Sequence, residues 1–180
     1  MPGKSTIEWT DATWNVWTGC AQVSPGCAHC YAKELAEGRF ARHFPNGFGL
    51  TFHWERLRWP LSVKRPSRIF VNSMTDMFLE DVPDDAIARV FAVMGEAHWH
   101  QFQILTKRHE RLAALAGALP WPPNVWMGVS VENNRFIHRA DFLRRVPAAV
   151  RFLSCEPLLG PLPDLDVSGI QWVIVGGESG

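Results

Sequence analysis

Three cysteines lie close together in one short stretch of the chain: Cys20, Cys27 and Cys30. Six residues separate the first two cysteines, and two residues separate the second pair. Gly19, Pro25 and Gly26 are turn formers, so this stretch is predicted to be a loop that folds back on itself. Such a loop can point three thiolates at one centre, and thiolates select zinc, copper or iron–sulfur clusters.

Three clustered ligands leave one coordination position to be filled. A structural zinc site requires four protein ligands, and His29, the other good ligand in the loop, sits awkwardly between two cysteines. A [4Fe–4S] cluster held by three thiolates instead keeps one iron open to a substrate or cofactor. We therefore expect a cluster with a vacant iron. A zinc site is the second interpretation, and three reduced cysteines packed in a small core are the third.

Length and composition predict one globular domain over residues 1–180. The chain has 180 residues, of which 47% are apolar and 20% are charged, values typical of a folded protein with a substantial core. No apolar run has the length of a membrane span, and the first residues lack the apolar stretch of a signal peptide. We therefore expect a cytoplasmic protein that does not enter a membrane and whose cysteines are reduced.

Positive charge is concentrated in one segment although the net charge is zero. Seven basic residues occupy this segment: Arg39, Arg42, Arg56, Arg58, Lys64, Arg65 and Arg68. Glu55 is its one acidic residue, and the remainder of the chain holds 11 basic and 17 acidic residues. Residues 45–67 are predicted to be an irregular insertion with aromatic side chains among the charges, which can bind nucleic acid. The other interpretation, a solvated insertion whose tryptophans cover the core, is favoured by the neutral net charge.

Strands alternate with helices along the rest of the chain. The hydrophobic pattern predicts a helix over 31–44 and six strands at 14–18, 68–72, 101–105, 124–131, 150–154 and 171–175. Alternating strands and helices indicate an α/β fold with a parallel sheet. Six strands suit an open, partial (βα)6 barrel better than a closed barrel of eight, although flat-sheet alternatives remain open.

Each predicted strand is followed by polar residues. After the cysteine loop, the later strands lead into Asn72, Ser73, Thr75 and Asp76, then Thr106, Lys107 and Arg108, then Ser130, Glu132 and Asn133, then Cys155 and Glu156, and finally 176–179. Ligands bind at the carboxyl ends of parallel strands, so these residues are expected to share one rim. Taken singly, Asp76 would only cap a turn, Lys107 and Arg108 would begin a helix in solvent, and Cys155 would pack in the core.

The cysteine loop, the six strand–helix units and the polar strand ends resemble the radical S-adenosylmethionine (SAM) superfamily. In that superfamily, three cysteines hold a [4Fe–4S] cluster, and its open iron binds the amine and carboxylate of the methionine moiety. One electron from the cluster cleaves SAM to a 5′-deoxyadenosyl radical. This chain departs in the wider spacing of its first two cysteines, and its Gly-Gly-Glu follows the sixth strand where the superfamily has one after the second.

Longer motifs resemble a family of phage-associated proteins of unknown function, the phage gene product thirty-seven/sixty-eight family. They are Ile-Glu-Trp-Thr-Asp-Ala-Thr-Trp, Ser-Pro-Gly-Cys-Ala-His-Cys-Tyr, Phe-Val-Asn-Ser-Met-Thr-Asp-Met-Phe, Leu-Thr-Lys-Arg, Gly-Val-Ser-Val-Glu-Asn, Ser-Cys-Glu-Pro-Leu and Gly-Gly-Glu-Ser-Gly. The residues around 75–76 and 106–107 are also similar to the spore photoproduct lyase branch. Because the chain stops directly after the sixth strand, we expect a shortened C-terminus.

These resemblances imply a radical SAM-type enzyme whose cofactors are a [4Fe–4S] cluster and SAM. Cys20, Cys27 and Cys30 would be the cluster ligands, and the SAM contacts would be Ser73, Asp76, Lys107, Ser130 and Glu132. Cys155 would donate a hydrogen atom or form a thiyl radical, and Glu178 would hold the ribose or the substrate. The substrate is unknown, with nucleic acid among the candidates.

The alternative function is a non-enzymatic, zinc-stabilised module that binds nucleic acid. It would use the same three cysteines with His29 or Cys155 as the fourth ligand. Its binding face would be the positive segment 39–68.

Overall fold

The computed structural model describes residues 3–177, which form an α/β fold around a seven-stranded sheet. In spatial order, the strands of this sheet are β1 (Gly3–Lys4), β2 (Ala12–Trp14), β5 (Arg68–Val71), β6 (Gln101–Thr106), β7 (Val125–Ser130), β8 (Val150–Cys155) and β9 (Trp172–Val175). The first strand pairs antiparallel with β2, and all the other pairs are parallel. The six parallel strands therefore lie side by side in chain order.

Five α-helices and a separate strand pair surround this sheet. The helices are α1 (Tyr31–Glu37), α2 (Trp59–Ser62), α3 (Asp84–Glu96), α4 (His109–Leu115) and α5 (Arg139–Arg144). Short 3-10 turns cover Pro25–Cys27, Ala41–His43, Trp54–Arg56 and Asn134–Phe136. The separate pair joins β3 (Trp17–Thr18) antiparallel to β4 (Thr51–Phe52).

The first predicted strand is wrong in its bounds, whereas the five later strands are confirmed to within two residues. The chain leaves the main sheet after Trp14, and Trp17–Thr18 pairs with the insertion. Residues 45–67 are therefore partly regular. The predicted helix over 31–44 ends at Glu37, and a 3-10 turn follows after Gly38.

One face of the sheet forms the main hydrophobic core with the helices. On β7, Val125, Met127 and Val129 belong to this core, and alternate residues of the neighbouring strands join them. Helix α3 contributes six buried side chains: Ala86, Ile87, Val90, Phe91, Val93 and Met94. Because successive side chains of a strand point to opposite faces, every second residue of the parallel strands is left for the other face.

The other face holds an aromatic cluster that joins the two ends of the parallel run. Trp9, just before β2, contacts Trp172 of β9 with ring centroids 5.8 Å apart, and it contacts Phe70 at 4.8 Å. Trp172 also contacts Phe152 at 5.1 Å. The sheet must therefore curve around this cluster. It is not a closed barrel, because β1 and β9 are its two edges.

None of the helices within residues 3–177 combines the length and the apolar character needed to cross a membrane.

Candidate functional site

A cavity of about 340 Å³ lies at the carboxyl ends of the parallel strands. Its walls include all three loop cysteines and polar residues at, or just after, the carboxyl ends of four strands: Asn72, Ser73, Thr75, Asp76, Thr106, Lys107, Arg108, Ser130, Ser154 and Glu156. The side chains of Trp9 and Phe70 form an apolar part of the cavity wall. The expected convergence of the polar strand ends on one rim is therefore confirmed for these residues.

The start of the cysteine loop is fastened to the segment after β5. The amide oxygen of Asn15, a buried residue, accepts a hydrogen bond from the backbone N–H of Met74 at 2.8 Å. Gly19 donates its N–H to the carbonyl of Met74 at 3.0 Å and accepts from the Thr75 hydroxyl. Cys20 donates its N–H to the carbonyl of Phe48 at 3.2 Å. The first cysteine is thus held between β5 and the insertion.

Glu132 fastens the middle of the loop to the end of β7. This residue is fully buried, and its Oε1 accepts from the Ser24 hydroxyl at 2.5 Å and pairs with Lys107 Nζ at 2.6 Å. Arg139 Nη1 lies 3.7 Å from the same oxygen. Burial raises the pKa of Glu132, but the hydrogen bonds and positive charges outweigh it, and the pKa is lowered overall. The structure therefore places Glu132 behind the loop, outside the cavity lining.

Asp76 joins the ends of β5 and β6. Its Oδ1 accepts from the Thr106 hydroxyl at 2.6 Å and from the Phe78 N–H at 2.9 Å. Its Oδ2 accepts from the Lys107 N–H at 3.0 Å and lies 3.4 Å from Arg108 Nη1. Asp76 lines the cavity, but protein donors already satisfy both of its oxygens. Its contacts indicate a role in positioning its neighbours.

Arg108 is buried and faces the first cysteine. Its Nη1 donates to Cys20 Sγ at 3.7 Å, and its Nη2 donates to the carbonyl of Ala21 at 3.0 Å. Its Nε donates to Glu80 at 2.7 Å. The solvated helix start considered for this residue is therefore wrong. Burial raises the pKa of Cys20 to about 11, with a further rise from Asp76 and a partial offset from Arg108.

Cys27 and Cys30 line the same cavity in different surroundings. Burial raises the pKa of Cys27, but backbone hydrogen bonds from Val23 and Ser24 and the charge of Lys107 lower it overall. Cys30 directly precedes α1.

All four cysteines are free, as the sequence predicts. Within residues 3–177, no three His, Cys, Asp or Glu side chains stand close enough together to hold a metal ion. The thiols therefore share a cavity without forming a ready-made ligand set.

Ser73 and Ser130 lie where the sequence predicts them, on the cavity wall. The Ser73 hydroxyl interacts with Asn15 at 3.1 Å, and the Ser73 carbonyl accepts from the Tyr31 hydroxyl. Ser130 pairs in register with Ser154 of β8, so two hydroxyl side chains stand next to each other on the wall. Their orientation follows from strand alternation.

Strand alternation also separates Cys155 from its neighbours. Ser154 and Glu156 line the cavity, whereas the Cys155 side chain packs in the hydrophobic core and is 1% exposed. A hydrogen-donor role for Cys155, or its use as a fourth zinc ligand, is not supported by this position. Burial raises the pKa of Glu156, and the Ser154 hydroxyl offsets part of that rise. Glu178 lies outside the described residues.

Ion pairs neutralise part of the positive segment. Three of its arginines are ion-paired: Arg56 with Glu55 at 3.3 Å, Arg58 with Glu96 at 3.0 Å and Arg68 with Asp11 at 3.0 Å. Arg65 and Arg68 flank the amino end of β5, at the opposite end of the sheet from the cavity. Binding of nucleic acid by residues 39–68 stays a prediction.

Comparison with known proteins identifies the family of this chain. A family model described as "Protein of unknown function (DUF5131)" matches residues 4–180. The chain belongs to the DUF5131 family. No curated protein and no solved structure matches it. The resemblance to radical SAM and phage-associated proteins therefore stays a prediction for this member of DUF5131.

Asn72 and Glu156 are among the cavity residues of this DUF5131 member that were not selected from its sequence as site residues. Asn72 is 3% exposed, and its Oδ1 has no hydrogen-bond partner among the described residues. Its φ of 63° is the one positive value at a non-glycine residue within 3–177, and backbone strain of this kind is frequent at functional sites. Glu156 could have been found from alternation along β8, because it shares a face with Ser154.

Proposed function

We propose that this chain is a radical SAM-type enzyme. In this proposal, the six parallel strands in chain order form an open, partial (βα)6 barrel. Its rim binds a [4Fe–4S] cluster and SAM. The observation that carries the proposal is that Cys20, Cys27 and Cys30 line the same cavity as the polar ends of the strands. A purely structural zinc site would not require a cavity of that size beside it.

The chemistry of the cysteine loop fits a cluster with three protein ligands. Thiolates are the usual ligands of such clusters, and the neighbouring Lys107 and Arg108 offset their negative charge. Because the three sulfurs do not yet form a ligand set, we expect the loop to close around the cluster as it binds. Binding of metal is commonly coupled to ordering of the ligand segment.

The remaining cavity fits a small polar cofactor such as SAM. The unpartnered oxygen of Asn72 can accept a hydrogen bond from an amino group, and Ser130 and Ser154 present hydroxyls from the neighbouring strands β7 and β8. Trp9 and Phe70 provide an apolar surface for a ring. Ser73 and Lys107 stay candidate contacts. We propose a positioning role for Asp76 and Glu132, because protein groups engage both oxygens of Asp76 and Oε1 of Glu132.

A cluster held by Cys20, Cys27 and Cys30 would supply one electron for the reductive cleavage of SAM, and the resulting 5′-deoxyadenosyl radical would take a hydrogen atom from the substrate. The protein would have three tasks: to hold the cysteine loop in position, to bind SAM against the loop and to shield the reaction from solvent. The contacts of Ser24 with Glu132 and of Gly19 with Met74 serve the first of these tasks. The aromatic cluster below the cavity serves the third.

Anaerobic purification with metal analysis tests the proposal. We expect about four iron and four sulfide per chain, a brown colour, and release of 5′-deoxyadenosine when the protein is reduced with dithionite in the presence of SAM. Cys27→Ala should lose the iron. Cys155→Ala is the matched control, because this cysteine packs in the core, and it should keep both the iron and the release of 5′-deoxyadenosine.

Stoichiometric zinc without colour would overturn the proposal and favour the zinc-stabilised module. Binding of DNA or RNA that weakens steeply with salt would then support the nucleic-acid-binding function. Loss of iron from Cys155→Ala to the same extent as from Cys27→Ala would instead show that the assigned ligand set is wrong.

A further inference from the structure

The guanidinium of Arg108 touches a proposed cluster ligand from a rigid, buried position. The Arg108 side chain is 3% exposed, and its Nη1 lies 3.7 Å from Cys20 Sγ. Three other contacts fix the group: Asp76 Oδ2 at 3.4 Å, Glu80 Oε2 at 2.7 Å and the carbonyl of Ala21 at 3.0 Å. The group therefore cannot swing away from Cys20 without breaking them.

Most of the acidic groups around this site are already committed to partners. Asp76 receives donors on both oxygens, and Lys107 pairs with Glu132. Arg108, which also pairs with Asp76 and Glu80, is the positive group whose guanidinium contacts the sulfur of the first cysteine. A buried charge acts on its neighbour with little screening. Hydrogen bonds to cluster sulfurs and nearby charges are two of the factors that set reduction potentials of iron–sulfur clusters.

We propose that Arg108 is a positioning residue that raises the reduction potential of the proposed [4Fe–4S] cluster through Cys20. This inference rests on the proposed function. Reduction adds one electron from an external reductant to the cluster, and no bond or proton at Arg108 changes. The positive charge stabilises the more negative, reduced state more than the oxidised state.

Glu80 allows a second, independent test of the effect of Arg108. Its side chain is 64% exposed, so replacing it should not disturb the core. Its carboxylate pairs with Arg108 Nε at 2.7 Å and partly neutralises the guanidinium. Glu80→Gln keeps an oxygen that can accept from Arg108 Nε but removes the negative charge. The positive charge of the Arg108 guanidinium is then less neutralised, so its effect on Cys20 is larger.

The two variants should therefore move the potential in opposite directions. The test is a dithionite titration of the anaerobically purified protein, followed by the electron paramagnetic resonance signal of the reduced cluster. Arg108→Met should make reduction less favourable by about tenfold, which is about 59 mV for one electron. Glu80→Gln should make it about threefold more favourable at low salt, and less so at high salt because Glu80 is exposed. Glu110→Gln, an equal charge change at an exposed position of α4, should leave the potential unchanged.

A role that is only structural would not produce shifts of opposite sign. A cluster whose potential is the same in wild type, Arg108→Met and Glu80→Gln, or shifts in the same direction in both variants, overturns this inference alone. Wild-type protein that holds no [4Fe–4S] cluster overturns the inference together with the proposed function. If Arg108→Met does not fold, the exposed Glu80→Gln variant still decides the matter, since an unchanged potential there contradicts the inference.

Discussion

The hydroxyl of Ser24 donates a hydrogen bond to Oε1 of Glu132 at 2.5 Å, and this contact ties the cysteine loop to the end of β7. The same carboxylate oxygen pairs with Lys107 at 2.6 Å, so three strand-end segments meet at one atom. Glu132 is fully buried. A buried carboxylate of this kind stays favourable only while its partners remain in place. The position of the cysteine loop therefore depends on the charge of Glu132.

Glu132→Gln is expected to loosen the cysteine loop. The amide keeps the shape of the side chain but leaves the Lys107 and Arg139 charges without their counterion, a change that typically costs about 3 kcal/mol in a buried pair. Urea unfolding should show this loss, and iron content after anaerobic reconstitution should fall. Glu37→Gln, at an exposed position of α1, is the control and should change neither quantity. Equal stability of Glu132→Gln and wild type would contradict the anchoring role.

Acid should remove the contribution of Glu132 to stability. Its partners hold the pKa of the folded state below the ordinary value of 4.5, so the folded protein keeps the ionised form to lower pH than the unfolded chain. The contribution is complete above about pH 4.5 and is lost as the pH falls through the folded pKa. Urea midpoints measured from pH 7 down to pH 3 should therefore converge for wild type and Glu132→Gln. A constant gap across this range would contradict the linkage.

Local patterns were sufficient to predict the parallel strands and the polar rim, because both follow from side-chain periodicity within single segments. The early end of β2 could not be predicted in this way. It depends on the pairing of Trp17–Thr18 with Thr51–Phe52, two segments that the sequence pattern does not connect. The burial of Arg108 likewise depends on Glu80 and Asp76, which lie on a different segment. Charge and helix-start position alone made solvent exposure the simpler expectation for this arginine.

The alternation along β8 was available from the sequence and separates Ser154 and Glu156 from Cys155. A cysteine at a strand end attracts attention because of its chemistry, but its neighbours determine which face it occupies. Phe152 and Ser154 share the face opposite to Leu153 and Cys155. Leu153 and Cys155 belong to the core. Reading period two across the whole strand would have assigned Cys155 to the core.

Gly26→Ala should displace the cysteine loop from β7. A Cβ at residue 26 would lie 2.7 Å from Oε1 of Glu132, closer than real Cβ atoms approach other atoms. The carboxylate would have to move and would weaken its contacts with Ser24 and Lys107. We expect lower iron content and a loss of stability of about 1–3 kcal/mol, as for other overpacked sites. Gly117→Ala is the control, since a Cβ there meets nothing within 4 Å. Equal iron content in the two variants would contradict the close packing of Gly26 on Glu132.

Substitutions of Asn72 should separate backbone strain from ligand contact. In Asn72→Gly, the glycine adopts the φ of 63° without strain. In Asn72→Ala, the alanine is held in a backbone conformation that costs about 1 kcal/mol. Urea unfolding should therefore show a loss of stability for Ala but little change for Gly. Both variants lose the unpartnered Asn72 oxygen, so both should bind SAM about fivefold more weakly by calorimetry, as expected for one hydrogen bond. Unchanged SAM affinity in Asn72→Gly would show that this oxygen does not contact SAM.

Gly128 and Phe152 test the packing of the aromatic cluster around Trp172. A Cβ at residue 128 would lie 2.4 Å from the Phe152 ring, which packs over this glycine between the neighbouring strands β7 and β8. Gly128→Ala must therefore push the ring into the aromatic cluster around Trp172, and we expect a loss of about 1–3 kcal/mol in urea unfolding. Phe152→Leu removes the ring edge that clashes, at its own cost for the lost packing. The double variant should be more stable than the sum of the two single effects predicts, because the smaller side chain makes room for the new methyl group. Additive losses would show that the ring does not rest on Gly128.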